Sequence, residues 1–290
     1  MKYLSPTTFI KYLNCPHQVK LLKIDKVVDE DLVREQTMAM ATGTAVDIMI
    51  KGACNHRIKV AEELDRAIEK KNKAAILLAK ELYECYEKGP LIELKKEGIG
   101  YTAAEMEIEI EWTDFPLCQL EDCHSGVLND GDPCPLCKNI NAPKYKSTLM
   151  GLPDLVLTDG TVVDWKAQGM FGKGRKPMDG YCRCYVYGGA KAFHGKNSGS
   201  SPKGDDDVPM ELINKDWAIQ IYLYSRLLGH HPGKKLRCGI ENICVDSDNT
   251  VYIASFRNPI SSTFQLDIEK KFHLAWIALT TGTTEPPFAS

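Results

Sequence analysis

The sequence predicts a mixed α/β domain, a central sheet with helices packed against it, and three observations carry that prediction. The stretch AAEMEIEIEW (residues 103–112) alternates strictly: Glu105, Glu107, Glu109 and Glu111 fall on one side, Met106, Ile108, Ile110 and Trp112 on the other. That period belongs to a strand with one buried face. The stretch GLPDLVLTDGTVVDWKAQG (151–169) places apolar runs on either side of Asp159-Gly160, a two-residue signal for a tight hairpin turn. Around these strands lie apolar residues at helical spacing, so the elements run helices, strands, helix, strands, helix.

Each element has a local reason. Ser5-Pro6 is a helix-start signal, with Phe9, Ile10 and Leu13 on its apolar face, and Asn14-Cys15-Pro16 ends that helix. A short second helix carries Val19, Leu21 and Leu22, and residues 32–52 and 61–88 read as helices, the latter ending at Gly89-Pro90. After the hairpin comes GGAKAFHGKNSGSSPKGDDD, whose Gly, Ser and Lys content predicts a loose, mobile region. NKDWAIQIYLYSRLLG reads as a helix ended by Gly229, KLRCGIENICV and NTVYIASF as strands, and residues 266–281 as a final helix.

The chain of 290 residues is long enough to bury a sizeable core and reads as a single domain, 1–290. With 26% charged and 43% hydrophobic residues it falls among ordinary globular proteins, and no run approaches the ~18 consecutive apolar residues that a membrane span needs. The first residues, MKYLSPTTFIKYLNCPHQ, lack the apolar core of a signal peptide. The expectation is a cytoplasmic protein without a membrane partner, in the host cytoplasm if the chain is phage-encoded. The net charge of -3 gives no global attraction to nucleic acid. Locally the balance differs. Between 169 and 204, Lys173, Arg175, Lys176, Arg183, Lys191, Lys196 and Lys203 face one acid, Asp179.

Charge within the hairpin carries the functional reading. Core strands seldom take in charges without a partner or a chemical role, yet this hairpin holds Asp154, Asp164 and Lys166. Asp164 and Lys166 are two apart and leave the strand on the same face, and Asp154 can reach them across the turn. Two carboxylates beside an ammonium suit phosphodiester hydrolysis. The carboxylates hold Mg²⁺ (or Mn²⁺), which polarises the phosphate and activates a water. The ammonium orients that water or offsets charge on the transition state.

Pro153-Asp154 followed by Asp164-Trp165-Lys166 resembles the PD-(D/E)xK nuclease superfamily. Further stretches are similar to its RecB-type and phage exonuclease branches: LSPTTFIKYLNCPHQ to their N-terminal helix ending in Cys-Pro, GTAVD (43–47) to their helical Gly-x-x-x-His/Glu element, and Gln220 with Tyr224 to their Gln-x-x-x-Tyr helix. The resemblance runs from Leu4 to Tyr224 in the family's order. It implies a restriction-endonuclease-like mixed sheet flanked by helices, with Asp154, Asp164 and Lys166 catalytic. It also implies Asp154, Asp164 and Asp47 as Mg²⁺ ligands, Asp47 standing where a metal-binding His is common, and Gln220 and Tyr224 as support. The Glu comb is in general a solvated strand face; one member, Glu105 or Glu107, is a further candidate ligand, Glu105 being the first choice. The implied activity is DNA cleavage in recombination, repair or phage DNA processing, alongside a recombination partner such as a single-strand annealing protein, with oligomeric state left open.

CQLEDCHSGVLNDGDPCPLC spaces Cys118, Cys123, Cys134 and Cys137 as Cys-x4-Cys-x10-Cys-x2-Cys. Four thiolates on two knuckles suit tetrahedral Zn²⁺, and so small and polar a segment needs a metal to fold. The expectation is a structural zinc in a ribbon-like insertion over 113–147; free cysteines or a redox pair are the alternatives, and His124 could stand in for Cys123. A nucleobase deaminase would need a His-x-Glu, which the chain lacks. Some RecB-type relatives carry an iron–sulfur cluster on one N-terminal and three C-terminal cysteines. Cys15 matches the first, but only Cys238 and Cys244 follow Tyr224, so no cluster is expected. Lys173, Arg175 and Lys176 are the candidate DNA contacts; a Gly-rich basic stretch suits a phosphate backbone better than base edges. Exonuclease action on DNA ends is therefore favoured over endonuclease action. A non-catalytic DNA-binding protein with a nuclease-like core is the alternative.

Overall fold

An antiparallel ribbon with a break in its middle organises the centre of the protein. In the computed structural model the residues described are 2–25, 36–54, 57–89, 92, 95–104, 107–116, 144–168, 190–194, 208–245 and 251–281. Strands β1 (Tyr101–Ala104) and β2 (Ile108–Pro116) form one arm of the ribbon, β3 (Lys144–Gly151) and β4 (Leu155–Leu157) the other. Ala104 pairs with Leu155 and Ile108 with Gly151, so the register carries straight across the gap. Pro153 sits in that gap and has no N–H to give to a ladder, which is reason enough for the pairing to lapse there. The alternating run predicted as one strand over 103–112 is therefore two strands in two sheets.

β4 turns into β5 (Val162–Gln168) through Thr158, Asp159 and Gly160. The Leu157 carbonyl accepts from the Gly160 N–H at 3.0 Å, and Gly160 takes φ +84°. The loop is thus a three-residue one with glycine in the left-handed region, and not the two-residue turn that Asp159-Gly160 suggests. Asp159 Oδ1 accepts from the Thr161 N–H at 2.9 Å and fixes the loop further.

The main sheet has six strands in the order β1-β4-β5-β8-β9-β6, where β6 is Ala190–His194, β8 Gly239–Val245 and β9 Val251–Phe256. β5 and β8 are parallel and the other neighbours antiparallel, so the sheet is mixed as predicted. β6 falls in the region expected to be loose and pairs with β9. The predicted strand KLRCGIENICV divides: β7 (Leu236–Arg237) pairs with β10 (Pro259–Ile260), and only β8 enters the main sheet.

Helices cover both faces. On one, Leu155, Leu157, Val163 and Trp165 pack with buried residues of α3 (Met38–Cys54), α4 (Val60–Ala67) and α5 (Ala74–Lys88). On the other, Val162, Ile240 and Phe256 pack with α1 (Pro6–Asn14), α7 (Lys215–Leu227) and α8 (Ser262–Thr281). The short helix α2 (Pro16–Lys23) follows α1 after Cys15, and the short helix α6 (Met210–Ile213) leads into α7 through Asn214. Ser5 caps α1 by accepting from the Thr8 N–H at 3.2 Å, with Pro6 at the first helical position, and Asn214 caps α7 through the Trp217 N–H at 3.1 Å. Gly229, at φ +85°, closes α7.

The helix predicted over 61–88 is broken between α4 and α5 by a turn of 3₁₀ helix at Lys70–Asn72. Gln36 explains the break. Its amide donates to the Ala67 carbonyl at 2.9 Å and accepts from the Glu69 N–H at 3.0 Å, replacing the helical partners that those groups lose. No helix among the described residues is long and apolar enough to cross a membrane.

Candidate functional site

The predicted site residues that the structure describes meet where β4 and β5 part. Their pairing runs from Val156↔Val162 to Leu155↔Val163, and the chain before Leu155 turns away from β5. The next inward N–H, that of Trp165, has no strand partner there; Asp154 Oδ2 accepts from it at 3.1 Å. Asp154 is thus held at the split in the sheet through one carboxylate oxygen, leaving the other for a different partner.

Asp164 and Lys166 leave β5 on the same face as Val162, toward α7, while Val163 and Trp165 enter the opposite core. From α7, Gln220 reaches both of them: its Nε2 donates to Asp164 Oδ1 at 3.0 Å, and its Oε1 accepts from Lys166 Nζ at 2.8 Å. Gln220 Nε2 also lies 3.1 Å from the Tyr224 hydroxyl one helical turn on. Lys166 and Asp164 form an ion pair, and Asp164 is only 2% exposed. Burial, and next the charge of Asp154 beside it, push the Asp164 carboxyl up to about 8, against the pull of Lys166. Burial likewise pushes the Tyr224 phenol up to about 12, so it stays protonated at neutral pH.

The fourth contribution comes from α3. Asp47 lines the cleft, and Lys51 one turn later places Nζ 2.7 Å from Asp47 Oδ2 and 3.5 Å from Asp154 Oδ1. Gly43, Thr44 and Val46 of the same helix complete the wall, giving an open cleft of 570 Å³ that also takes in Asp154, Asp164, Trp165, Lys166 and Gln220. Three carboxyl groups and the Lys166 ammonium line it, and the Lys51 ammonium stands behind Asp47 and Asp154.

Lys51 is the residue that sequence reasoning missed. Its signal was present: a lysine four residues after Asp47, alone in the apolar run VDIMIKGAC, marks a helical ion pair on a buried face. Glu107, Glu109 and Glu111 are exposed, and Glu109 lies 3.8 Å from Lys2, as a solvated strand face would have it. Glu105, the four cysteines Cys118, Cys123, Cys134 and Cys137, and the basic residues Lys173, Arg175 and Lys176 lie outside the described residues. β2 and β3 run as a pair out to Pro116 and Lys144, so the cysteine segment joins the free ends of that pair.

No family model matches this chain. No curated protein matches it either. A solved structure described as "Crystal structure of SSO0001" aligns at a TM-score of 0.27 and 10% identity, covering 97% of this chain and 87% of that one. A likeness that weak carries no argument about what either protein does.

Proposed function

We propose that the chain is a Mg²⁺- or Mn²⁺-dependent phosphodiester hydrolase that cuts DNA, built on a restriction-endonuclease-like core of the PD-(D/E)xK kind. The observation that supports this reading is the meeting of Asp154, Asp164, Lys166 and Gln220, from a strand bend, a strand and a helix, in one open cleft.

The donor set suits a hard cation. Asp164 presents a buried Oδ2 whose partner is the Lys166 ammonium, and Asp154 presents Oδ1 toward Lys51. Oxygen ligands of this kind favour Mg²⁺ or Mn²⁺ over softer metals. Among the described residues no three His, Cys, Asp or Glu side chains close a ligand sphere, and the two lysine ammoniums stand among the carboxylates. Asp154 and Asp164 would hold the ion, which when bound supplies polarisation of the phosphate and a more acidic water.

The chain's own residues do the rest. Gln220 and Asp164 together fix the Lys166 ammonium, so that it meets the attacking water or the charge growing on phosphate oxygen without further reorganisation. Tyr224 fixes Gln220 in turn. Lys173 follows the end of β5 by five residues in sequence, and a Gly-rich basic stretch of this composition suits contact with a phosphate backbone. Backbone contact of this kind is sequence-tolerant, which together with the family resemblance favours an exonuclease acting on DNA ends in recombination, repair or phage DNA processing. A structural zinc on Cys118, Cys123, Cys134 and Cys137 belongs to the same proposal.

The test is incubation of the purified protein with end-labelled linear DNA and covalently closed circles, in Mg²⁺ or EDTA. Linear DNA should be degraded in Mg²⁺ alone and circles spared. Asp164→Asn and Lys166→Ala should each abolish cleavage with little loss of DNA binding. Discrete fragments from circles would mark an endonuclease, and binding without cleavage by the unmodified protein would leave a DNA-binding module.

A further inference from the structure

Lys51 needs a role, because the cleft already has a lysine. Lys166 is taken up by Asp164 and Gln220 on β5 and α7. Lys51 comes from α3 and serves the other two carboxylates, standing 2.7 Å from Asp47 and 3.5 Å from Asp154. Its side chain is 8% exposed, against 35% for Asp47 and 18% for Asp154. The ammonium is thus the most enclosed of the three charges, placed between two anions.

We propose that the Lys51 ammonium is a built-in cation occupying the seat that a second divalent ion would take, so that the cleft binds one Mg²⁺ or Mn²⁺ per chain. The inference rests on the metal-dependent reading above and goes beyond it. Asp154 has two oxygens with different partners: Oδ2 is engaged by the Trp165 N–H, and Oδ1 faces Lys51. A second ion bridging Asp47 and Asp154 would have to share the space of that ammonium, at contact distances near ~2.1 Å. The lysine cannot readily give way. Its stem lies in a helix whose neighbours Val46, Met49 and Ile50 are buried, so a displaced ammonium would meet an apolar wall.

Charge counting points the same way. A bound ion displaces the Asp164 proton, and the three carboxylates and two lysines then sum to one net negative charge before the ion is counted. One divalent ion brings it to a single positive charge, which matches a phosphodiester. Two ions would leave three positive charges in a partly buried space. Asp47 is then the residue that holds Lys51 in place, and is not itself a ligand of the bound ion.

Titration of the full-length protein with Mn²⁺ tests this, following free Mn²⁺ by electron paramagnetic resonance. Mn²⁺ prefers oxygen, which keeps the cysteine segment out of the count. The unmodified protein should bind one ion, lost in Asp164→Asn. Lys51→Gln, which empties the seat of charge but can still hydrogen-bond to both carboxylates, should bind two, and Lys51→Arg should return to one. Adding Asp47→Asn to Lys51→Gln should remove the second ion again. Two ions in the unmodified protein, or one ion in folded Lys51→Gln, overturns the proposal while leaving the metal site standing. No bound Mn²⁺ in the unmodified protein overturns the metal-dependent reading itself.

Discussion

Gly151→Ala is a single-methyl perturbation whose effect reaches the cleft from outside it. Gly151 ends β3 opposite Ile108, against α7. A Cβ there would stand 2.6 Å from Leu227 Cδ1, and 2.9 and 3.0 Å from Cε1 and Cδ1 of Tyr224. Carbon atoms rest at about 3.5–4.0 Å, so these neighbours must retreat by roughly 1 Å. Leu227 can turn a methyl aside. The Tyr224 ring is less free, because its hydroxyl is tied to Gln220, which holds Lys166 and Asp164. Forcing a methyl into a packed contact costs about 1–3 kcal/mol, while replacing glycine stabilises by about 0.4–1 kcal/mol through the unfolded chain. The expected net loss is about 1–2 kcal/mol, read as a lower urea midpoint with unchanged slope. Cleavage of linear DNA should fall as well. Leu227→Ala opens the space, so the double variant should cost less than the two singles together by about 1 kcal/mol. Stability within ~0.5 kcal/mol of the unmodified protein, together with strict additivity in the double variant, would refute this account of the packing.

Asp164 gives a pH signature. Its folded carboxyl keeps its proton to about pH 8, whereas in the unfolded chain it ionises near pH ~4, so in metal-free protein its contribution is complete below about 4 and is lost as pH rises toward 8, then stays flat. Urea midpoints across pH ~5–9 should therefore fall more steeply for the unmodified protein than for Asp164→Asn, and Mg²⁺ added at about pH 8 should recover stability in the former only. His273 works in the opposite sense: burial lowers it to about 3, so folding loses stability as pH falls below its ordinary value near 6.5, in both proteins alike. Away from the cleft, buried Glu269 accepts from the Tyr222 hydroxyl at 2.7 Å and pairs with Arg226 at 2.6 Å. Glu269→Ala should cost about 3–5 kcal/mol by denaturation, and Tyr222→Phe about 1 kcal/mol. Elemental analysis of protein purified without chelator should find one zinc per chain, lost together with folding of the segment when Cys134 and Cys137 become serine. A metal-free, stably folded preparation would remove the zinc from the reading.

Local pattern decided what the elements are. Ser5-Pro6 starts α1 and Asn214 starts α7 because a cap is satisfied within three residues, and the alternation through Ile108, Ile110 and Trp112 makes β2 because a strand's period is written in adjacent positions. The shared face of Asp164 and Lys166, and the helical spacing of Gln220 and Tyr224, were legible for the same reason. Tertiary structure decided where those elements break and what they bring together. Gln36 supplies, from a distant part of the chain, the backbone partners that let a predicted single helix split into α4 and α5. Asp154 is held by a backbone N–H that exists as an open donor only because the chain before Leu155 turns away from β5. The spacing of Lys51 four residues after Asp47 is local, but only the packing of α3 against the sheet sets it between Asp47 and Asp154. Periodicity records which way a side chain points, whereas the partner that a buried donor or charge finds is a property of the packed chain.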